Sequence, residues 1–384
     1  MPNAKRENRA NPPRILYFGT YRAEYSRNRI LIEGLRANGA QVVECHETLW
    51  HSIDDRVNLA SGGWVKPAFW WRVLRTYFRL LRRYFGSGDY DVLVVGYPGQ
   101  FDVYLAWLLA RLKGRPFCWD ILMSIYLVAV ERKLDQRSAF TVRLLKLVEK
   151  IASALPDRLI LESTDYRDWF CKTHHVSPER FCLVPLGTQM KPIPPEAGQE
   201  SDVFWVTYFG TFIPNHGVDR MIEAAARLTQ WKAIRFEMIG TGPELERAKA
   251  LAREHGLENI DFSGYLDDAA FREHIARAKV VLGVFGSTPQ SLMTIQNKIY
   301  ECLAMGKPLV TGESPLLCRT FEHARHMYIC RREPESLAEA ILALRQDEPL
   351  RERIAREGNA YFQQNFSVQQ IGKQFLDCLE AVRR

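Results

Sequence analysis

Short apolar runs ending near glycine alternate along this chain with longer segments whose apolar residues recur every three or four positions. Residues 14–19 (RILYFG) are the first such run. Residues 26–38 follow with Ile30, Leu31 and Leu35 on one helical face, and Gly39 stops them before a second run at 41–44. This is a βαβ opening. Strands at 91–96, 116–120, 158–161 and 181–184 and helices at 103–112 and 139–154 continue it. Residues 188–202 (TQMKPIPPEAGQESD) carry three prolines and no periodicity, which marks a linker. The pattern then restarts with strand 204–209, Gly210, helix 218–228, strand 235–239 and Gly240. Helix 244–254, strand 260–262, helix 268–276 and strand 280–284 follow. Alternation on both sides of a linker predicts an α/β protein with two Rossmann-like, doubly wound parallel-sheet domains facing a cleft. The expected parts are a disordered tail at 1–13, domains at 14–187 and 203–366, the linker at 188–202, and a closing amphipathic helix at 367–384. That helix has Ile371, Phe375 and Leu376 on its apolar side.

Residues 294–312 (TIQNKIYECLAMGKPLVTG) concentrate the candidate chemistry. They place Glu301 at the head of a short helix, which Gly306-Lys307-Pro308 breaks before a buried strand at Leu309-Val310. At the C-terminal edge of a parallel sheet, a carboxylate in this position can accept both hydroxyls of a ribose. Backbone N–H groups and the helix dipole then face phosphate. Taken alone, an ordinary exposed helix glutamate reads the same way.

Composition narrows the partners. The chain has 384 residues, 47% hydrophobic and 25% charged, as in soluble globular proteins with chain enough for two cores. A net charge of +7 favours anionic partners, among them nucleotide diphosphates, anionic lipid headgroups and nucleic acid. The eight cysteines are scattered with no C-x-x-C pair, which predicts reduced thiols in a cytosolic protein rather than a disulfide framework or zinc site. No apolar run is long enough to span a bilayer, and residues 1–13 do not read as a secretory signal. Residues 64–85 hold six basic residues, eight aromatics and no acid. Trp70, Trp71, Arg72, Arg75, Arg79, Arg82 and Arg83 suit an interfacial helix on anionic lipid, and the alternative is a helix packed on the first sheet with a solvated arginine face.

Five segments carry a family resemblance: 208–218 (YFGTFIPNHGV), 238–244 (MIGTGPE), 262–266 (FSGYL), 298–312, and 361–367 (YFQQNFS) before the last helix. Their order and spacing resemble the GT-B retaining glycosyltransferases, specifically glycosyltransferase family 4. The resemblance implies a GT-B fold, with an N-terminal acceptor domain, a C-terminal nucleotide-sugar donor domain and a final helix that crosses back. It assigns Glu301 to the donor ribose, Gly210 and Thr211 to the diphosphate loop, Gly240 and Gly242 to turns near the nucleotide, and Tyr265 and Leu266 to the base. Family members commonly carry an arginine and a lysine at the positions of Thr211 and His216, and a first glutamate at that of Met293. His216, with its charged form favoured by nearby negative charge, Lys298 and Asn297 are the expected replacements. Backbone amides near Gly19 and Gly210 complete the expected phosphate site. Asp120, ending a strand, is the expected donor-sugar or acceptor contact; a helix N-cap is its alternative. Arg27 and Asn28, starting the first helix, are expected to bind phosphate or cap it. The lexical D-x-D at Asp89-Tyr90-Asp91 reads as a turn rather than a metal site.

The implied activity is sugar transfer from a UDP- or GDP-sugar to a glycan or lipid-linked acceptor. Catalytic roles fall to Asp120, His216 and Lys298, with no metal and no cofactor beyond the donor substrate. Localisation is expected to be cytoplasmic and peripheral at the membrane, without nucleic acid. A nucleotide-sugar epimerase and a catalytically degenerate binding subunit are the competing readings.

Overall fold

The computed structural model describes residues 12–23, 25–49, 67–136, 138–194 and 202–383. Residues 1–11 of the expected tail, 195–201 of the expected linker and 64–66 of the basic-aromatic segment lie outside them.

The chain divides into two compact units. Unit 1 takes the described residues up to Leu161, then Arg167–Val184 and the segment from Val368 onward. Its strands are β1 (Arg14–Gly19), β2 (Gln41–His46), β3 (Val92–Val95), β4 (Phe117–Asp120), β5 (Arg158–Leu161) and β6 (Phe181–Leu183). They form one parallel sheet in the order β2-β1-β3-β4-β5-β6. The chain moves one way from β1 to β2 and the other way from β2 through β6. Right-handed crossovers therefore put α1 (Ser26–Ala37) on one face and α2 (Pro67–Gly86), α3 (Asp102–Lys113) and α5 (Ala139–Ala154) on the other. Between α3 and β6 come also α4 (Ile125–Glu131) and α6 (Thr164–His174).

The last helix, α15 (Val368–Arg383), packs on α1. The two backbones cross at Gly34 and Gly372, where a Cβ on Gly372 would lie 2.1 Å from the Gly34 carbonyl. Cys182 of β6 and Cys378 of α15 form a disulfide, their Cα atoms 6.1 Å apart. This corrects the expectation of reduced thiols throughout: α15 returns to unit 1, so two cysteines 196 residues apart in sequence meet in space. The remaining six cysteines are free thiols.

Unit 2 holds Glu162–Tyr166 and Pro185–Ser367. Its strands are β7 (Phe204–Phe209), β8 (Ile234–Ile239), β9 (Ile260–Gly264), β10 (Val280–Leu282), β11 (Leu309–Gly312) and β12 (Tyr328–Cys330). They too are all parallel, in the order β12-β11-β10-β7-β8-β9. Helices α7 (Val218–Arg227), α8 (Leu245–Glu254), α9 (Asp268–Arg277), α10 (Pro289–Met293), α11 (Asn297–Met305), α12 (Pro315–Thr320), α13 (Pro334–Gln346) and α14 (Glu348–Asn365) connect and cover them. Val206, Tyr208, Phe236, Leu282 and Ile341 are all buried in its core. Strand order reverses between β7 and β10, which makes their C-terminal edge the natural ligand position of this sheet.

Candidate active site

At that reversal the chain leaves β7 through Gly210, which adopts φ +135°, and folds back through a tight helical turn at Pro214–His216. The Phe285 N–H, just after β10, holds the turn by donating to the His216 carbonyl at 2.9 Å. A Cβ on Gly210 would lie 3.1 Å from Lys298 Nζ and 3.5 Å from His216 Cε1. Gly240, after β8 at φ +128°, is tighter still: its Cβ would stand 2.0 Å from the Gly210 carbonyl oxygen. Glycine at both positions is what lets these loops meet. Gly242 lies against Phe212, and the Gly240 N–H donates to Gly264 O at 2.7 Å, which fixes the exit of β9 toward Tyr265 and Leu266. Tyr265 is 83% exposed, an aromatic face open to a base; Thr211 is exposed and Leu266 half-buried.

Tyr208, to which the sequence alone assigned no role, organises the centre. Its hydroxyl donates to the Thr211 carbonyl (3.0 Å) and lies 2.8 Å from His216 Nδ1. A phenol has one proton to give, so this network assigns the Nδ1 proton to His216 as donor and leaves Nε2 as the ring's acceptor. Lys298 enters from α11 with its ammonium 3.5 Å from the Tyr208 ring centroid and 5.8 Å from that of Phe209. It is buried, and among the described residues its Nζ has no hydrogen-bond partner. Contact with the ring faces offsets only part of the lost hydration. Burial accordingly pushes the Lys298 ammonium down to about 7, against the opposing pull of Cys302 and Glu301.

Burial, then the Lys298 charge, holds His216 well below its usual range. The expectation of a charge-favoured histidine is thereby corrected for the protein without ligand: a cation, not an anion, is its neighbour. Glu301 is pushed upward by burial with Lys298 opposing, and its carboxylate takes no hydrogen bond or ion pair from the described residues. It stands one turn inside α11 rather than at its head, on the same face as Lys298 and Asn297. The N-cap of α11, Gln296, supplies no side-chain cap, which leaves that helix start available to an anion.

Ten of the expected residues therefore share one end of the unit 2 sheet: Gly210, Thr211, His216, Gly240, Gly242, Tyr265, Leu266, Asn297, Lys298 and Glu301. One expected contribution is corrected. The Gly210 N–H continues the sheet by donating to Ile239 O at 2.9 Å, so it is not the amide that meets phosphate.

In unit 1 the expected residues have other work. Asp120 is wholly buried, and Arg27 grips it with Nε at 3.2 and 3.0 Å from the two carboxylate oxygens and Nη2 at 2.9 Å. Arg27 Nη1 also donates to Val184 O at 2.9 Å. Asp120 is thus corrected from a sugar contact to a structural anion, and the N-cap of the next helix is Ser124 instead. Arg27 and Asn28 are both buried on protein partners, and neither caps α1, whose N-cap is Tyr25. Asn28 accepts from Tyr97 N at 3.0 Å and donates to Tyr97 O at 2.6 Å. Arg27→Met should strand the Asp120 charge and cost about 3–5 kcal/mol in urea unfolding, whereas an unchanged midpoint would contradict the structural role. Gly19 is also corrected: it closes β1 against buried Asp102, whose carboxylate takes the neighbouring Thr20 N–H at 2.6 Å. Asp89 pairs with Arg115, and Asp91 accepts the Arg14 N–H at 2.8 Å. Among the described residues no three His, Cys, Asp or Glu side chains converge on a metal-sized site.

Comparison with known proteins gives the fold and a family likeness for unit 2. Sucrose-phosphate synthase from Thermosynechococcus elongatus superposes with TM-score 0.71 at 16% identity, covering 97% of this chain and 99% of that one. Anabaena HepE in complex with UDP and glucose superposes with TM-score 0.65 at 16% identity over 96% and 100%. The fold is GT-B. Residues 204–347, which hold the whole unit 2 cluster, match the family described as Glycosyl transferases group 1. Relatives include the lipopolysaccharide core biosynthesis glycosyltransferase LpsD of Rhizobium meliloti, 28% identical over 203 residues, 50% of this chain and 55% of that protein. Alpha-D-kanosaminyltransferase of Streptomyces kanamyceticus is 25% identical over 327 residues, 82% and 81% of the two chains. The match to LpsD thus spans about half of that relative. Unit 2 is thus similar to the group 1 glycosyl transferases, in a chain whose fold is GT-B.

Proposed function

We propose that this protein is a glycosyltransferase of family 4 that moves a hexose, with retention and without metal, from a UDP- or GDP-sugar to a glycan or lipid-linked acceptor. The observation that carries the reading is Lys298: a buried ammonium with no hydrogen-bond partner among the described residues, beside Gly210 and His216, one helical turn from the Glu301 carboxylate, which takes no hydrogen bond from the described residues. An anion at this position would supply what Lys298 lacks, and a ribose diol would supply what Glu301 lacks.

As the anomeric C–O bond breaks, charge grows on the departing diphosphate. Lys298 and the first turn of α11 stabilise that charge, and His216, bonded to Tyr208, holds the turn after β7 beside them. Tyr265 and Leu266 hold the base. The solved HepE complex with UDP and glucose supports a nucleotide-sugar donor, and LpsD supports a glycan acceptor in polysaccharide or glycolipid synthesis. Asp120 and Gly19 fall outside this mechanism.

Helix α2 supports a cytoplasmic, membrane-peripheral enzyme. Trp70, Trp71, Leu74, Phe78 and Phe85 are exposed on it beside Arg72, Arg75, Arg79, Arg82 and Arg83. No described helix is long and apolar enough to cross a membrane, so this contact is one of lying on the surface.

Incubation with a panel of UDP- and GDP-hexoses in EDTA should release nucleotide and leave a product with the donor's anomeric configuration by NMR. Isomerised donor would favour an epimerase, and binding without turnover a non-catalytic subunit.

A further inference from the structure

The face of unit 1 that carries α2 continues onto two more helices of the same character. Tyr77 and Tyr84 of α2 reach α3 at Asp102 (2.7 Å) and at Leu109 O (3.2 Å), and Tyr104 of α3 donates to Val148 O of α5 at 2.8 Å. The three helices therefore form one layer over the sheet. α2 turns only Thr76, Leu80 and Tyr84 fully inward, which leaves its other apolar stripe outside. On α5, Phe140, Leu144, Leu147 and Ile151 recur at helical spacing and are 46–76% exposed. Leu108 and Leu112 of α3 are exposed between the two. Apart from Tyr265, every exposed large hydrophobic side chain among the described residues lies between Trp70 and Ile151.

Charge follows the same surface. α2 carries five arginines and no acid, α3 carries Arg111 and Lys113, and α5 carries Arg143, Lys146 and Lys150. The acids on these helices are Asp102 and Glu149, and both are buried. Thr20 and Tyr77 hold Asp102, while Ser124 and the Ile125 N–H hold Glu149. The outward sides of α2, α3 and α5 thus combine apolar rows with cations and offer no acid.

Arg83 pairs with Glu47, but a dry protein interface that brought no acids of its own would bury the other cations of these helices uncompensated, at a cost. An anionic bilayer accommodates both features: apolar side chains enter the acyl boundary while guanidinium and ammonium groups stay among the phosphates. We propose that α2, α3 and α5 together form a docking platform for an anionic lipid bilayer, with the Phe140–Ile151 row of α5 entering the bilayer as a second anchor. This rests on the membrane reading of α2 and extends it to a broad face of unit 1, which would hold a lipid-linked acceptor's carrier beside the enzyme.

The full-length protein should co-sediment with vesicles of phosphatidylglycerol and phosphatidylcholine and not with phosphatidylcholine alone. Leu144→Glu/Leu147→Glu should lower partitioning at least tenfold. Neutralising Arg75, Arg79 and Arg82 to Gln should lower it about a hundredfold, at roughly fivefold per cation. Thermal melting of each variant checks the fold, and Phe140→Glu replaces the double variant if that one does not fold. An α5 variant that partitions like wild type, while the arginine variant does not, overturns the platform and leaves the α2 contact standing. Wild type indifferent to anionic vesicles overturns both. A dimer in solution that the α5 variant abolishes, without lipid binding, assigns the face to self-association and overturns the proposal.

Discussion

Lys298→Met is expected to make the protein more stable and nearly inactive. The lysine is buried with no hydrogen-bond partner among the described residues, and burial pushes it down to about 7 from its ordinary 10.5. Across that interval the unfolded chain holds a proton that the folded one has released, so stability rises with pH from about 7 to about 10.5. Below that window both states are charged and the full penalty of burying the ammonium applies. Methionine fills the same space without the charge. It should raise unfolding free energy by on the order of 4 kcal/mol at pH 6–7 and flatten this part of the pH dependence. Turnover should fall by about 10²–10³-fold, the effect of removing one preorganised donor from a developing oxyanion. Urea titrations at pH 6, 8 and 10, alongside donor turnover, check both halves. A variant with the wild-type pH slope would place the uncompensated charge elsewhere.

The second large effect is on Glu301. Its carboxylate takes no hydrogen bond from the described residues, so Glu301→Ala should leave folding stability within about 1 kcal/mol of wild type. Donor affinity should nevertheless fall by about 3 kcal/mol or more, on the order of 100-fold, because two hydrogen bonds from a diol to a charged group are lost. Glu301→Gln keeps the shape and one acceptor and should lie between the two. Equal loss of stability and affinity in the alanine variant would instead mark Glu301 as structural.

These expectations were legible in the sequence to different depths. The strands, the glycines that end them and the 294–312 helix could be read because each is a local pattern: apolar runs, a left-handed stop at Gly306, a polar residue every turn. The unit 2 cluster could be read because its parts follow β7, β8 and β9 and open α11 in the order a doubly wound sheet requires. Tyr208 could not, since a strand tyrosine before glycine looks like any core aromatic until its hydroxyl is found on Thr211 and His216. Asp120 and Arg27 were misread because their ion pair spans 93 residues, and burial, which turns a candidate ligand into a structural charge, leaves no mark on composition. Cys182 and Cys378 were missed for the same reason. In α2 two apolar stripes compete for the inner face, and only packing decides that Leu80 and Tyr84 go in while Leu74 and Phe78 stay out.

One cycle of titrations tests most directly whether the unit 2 cluster grips a nucleotide through its ribose. UDP and 2′-deoxy-UDP are titrated calorimetrically against wild type and against Glu301→Ala. Wild type should bind UDP at least tenfold more tightly than its deoxy analogue, and the variant should bind both equally weakly. Should the variant keep the full preference for the ribose hydroxyl, Glu301 is not its partner and the assignment of this site fails.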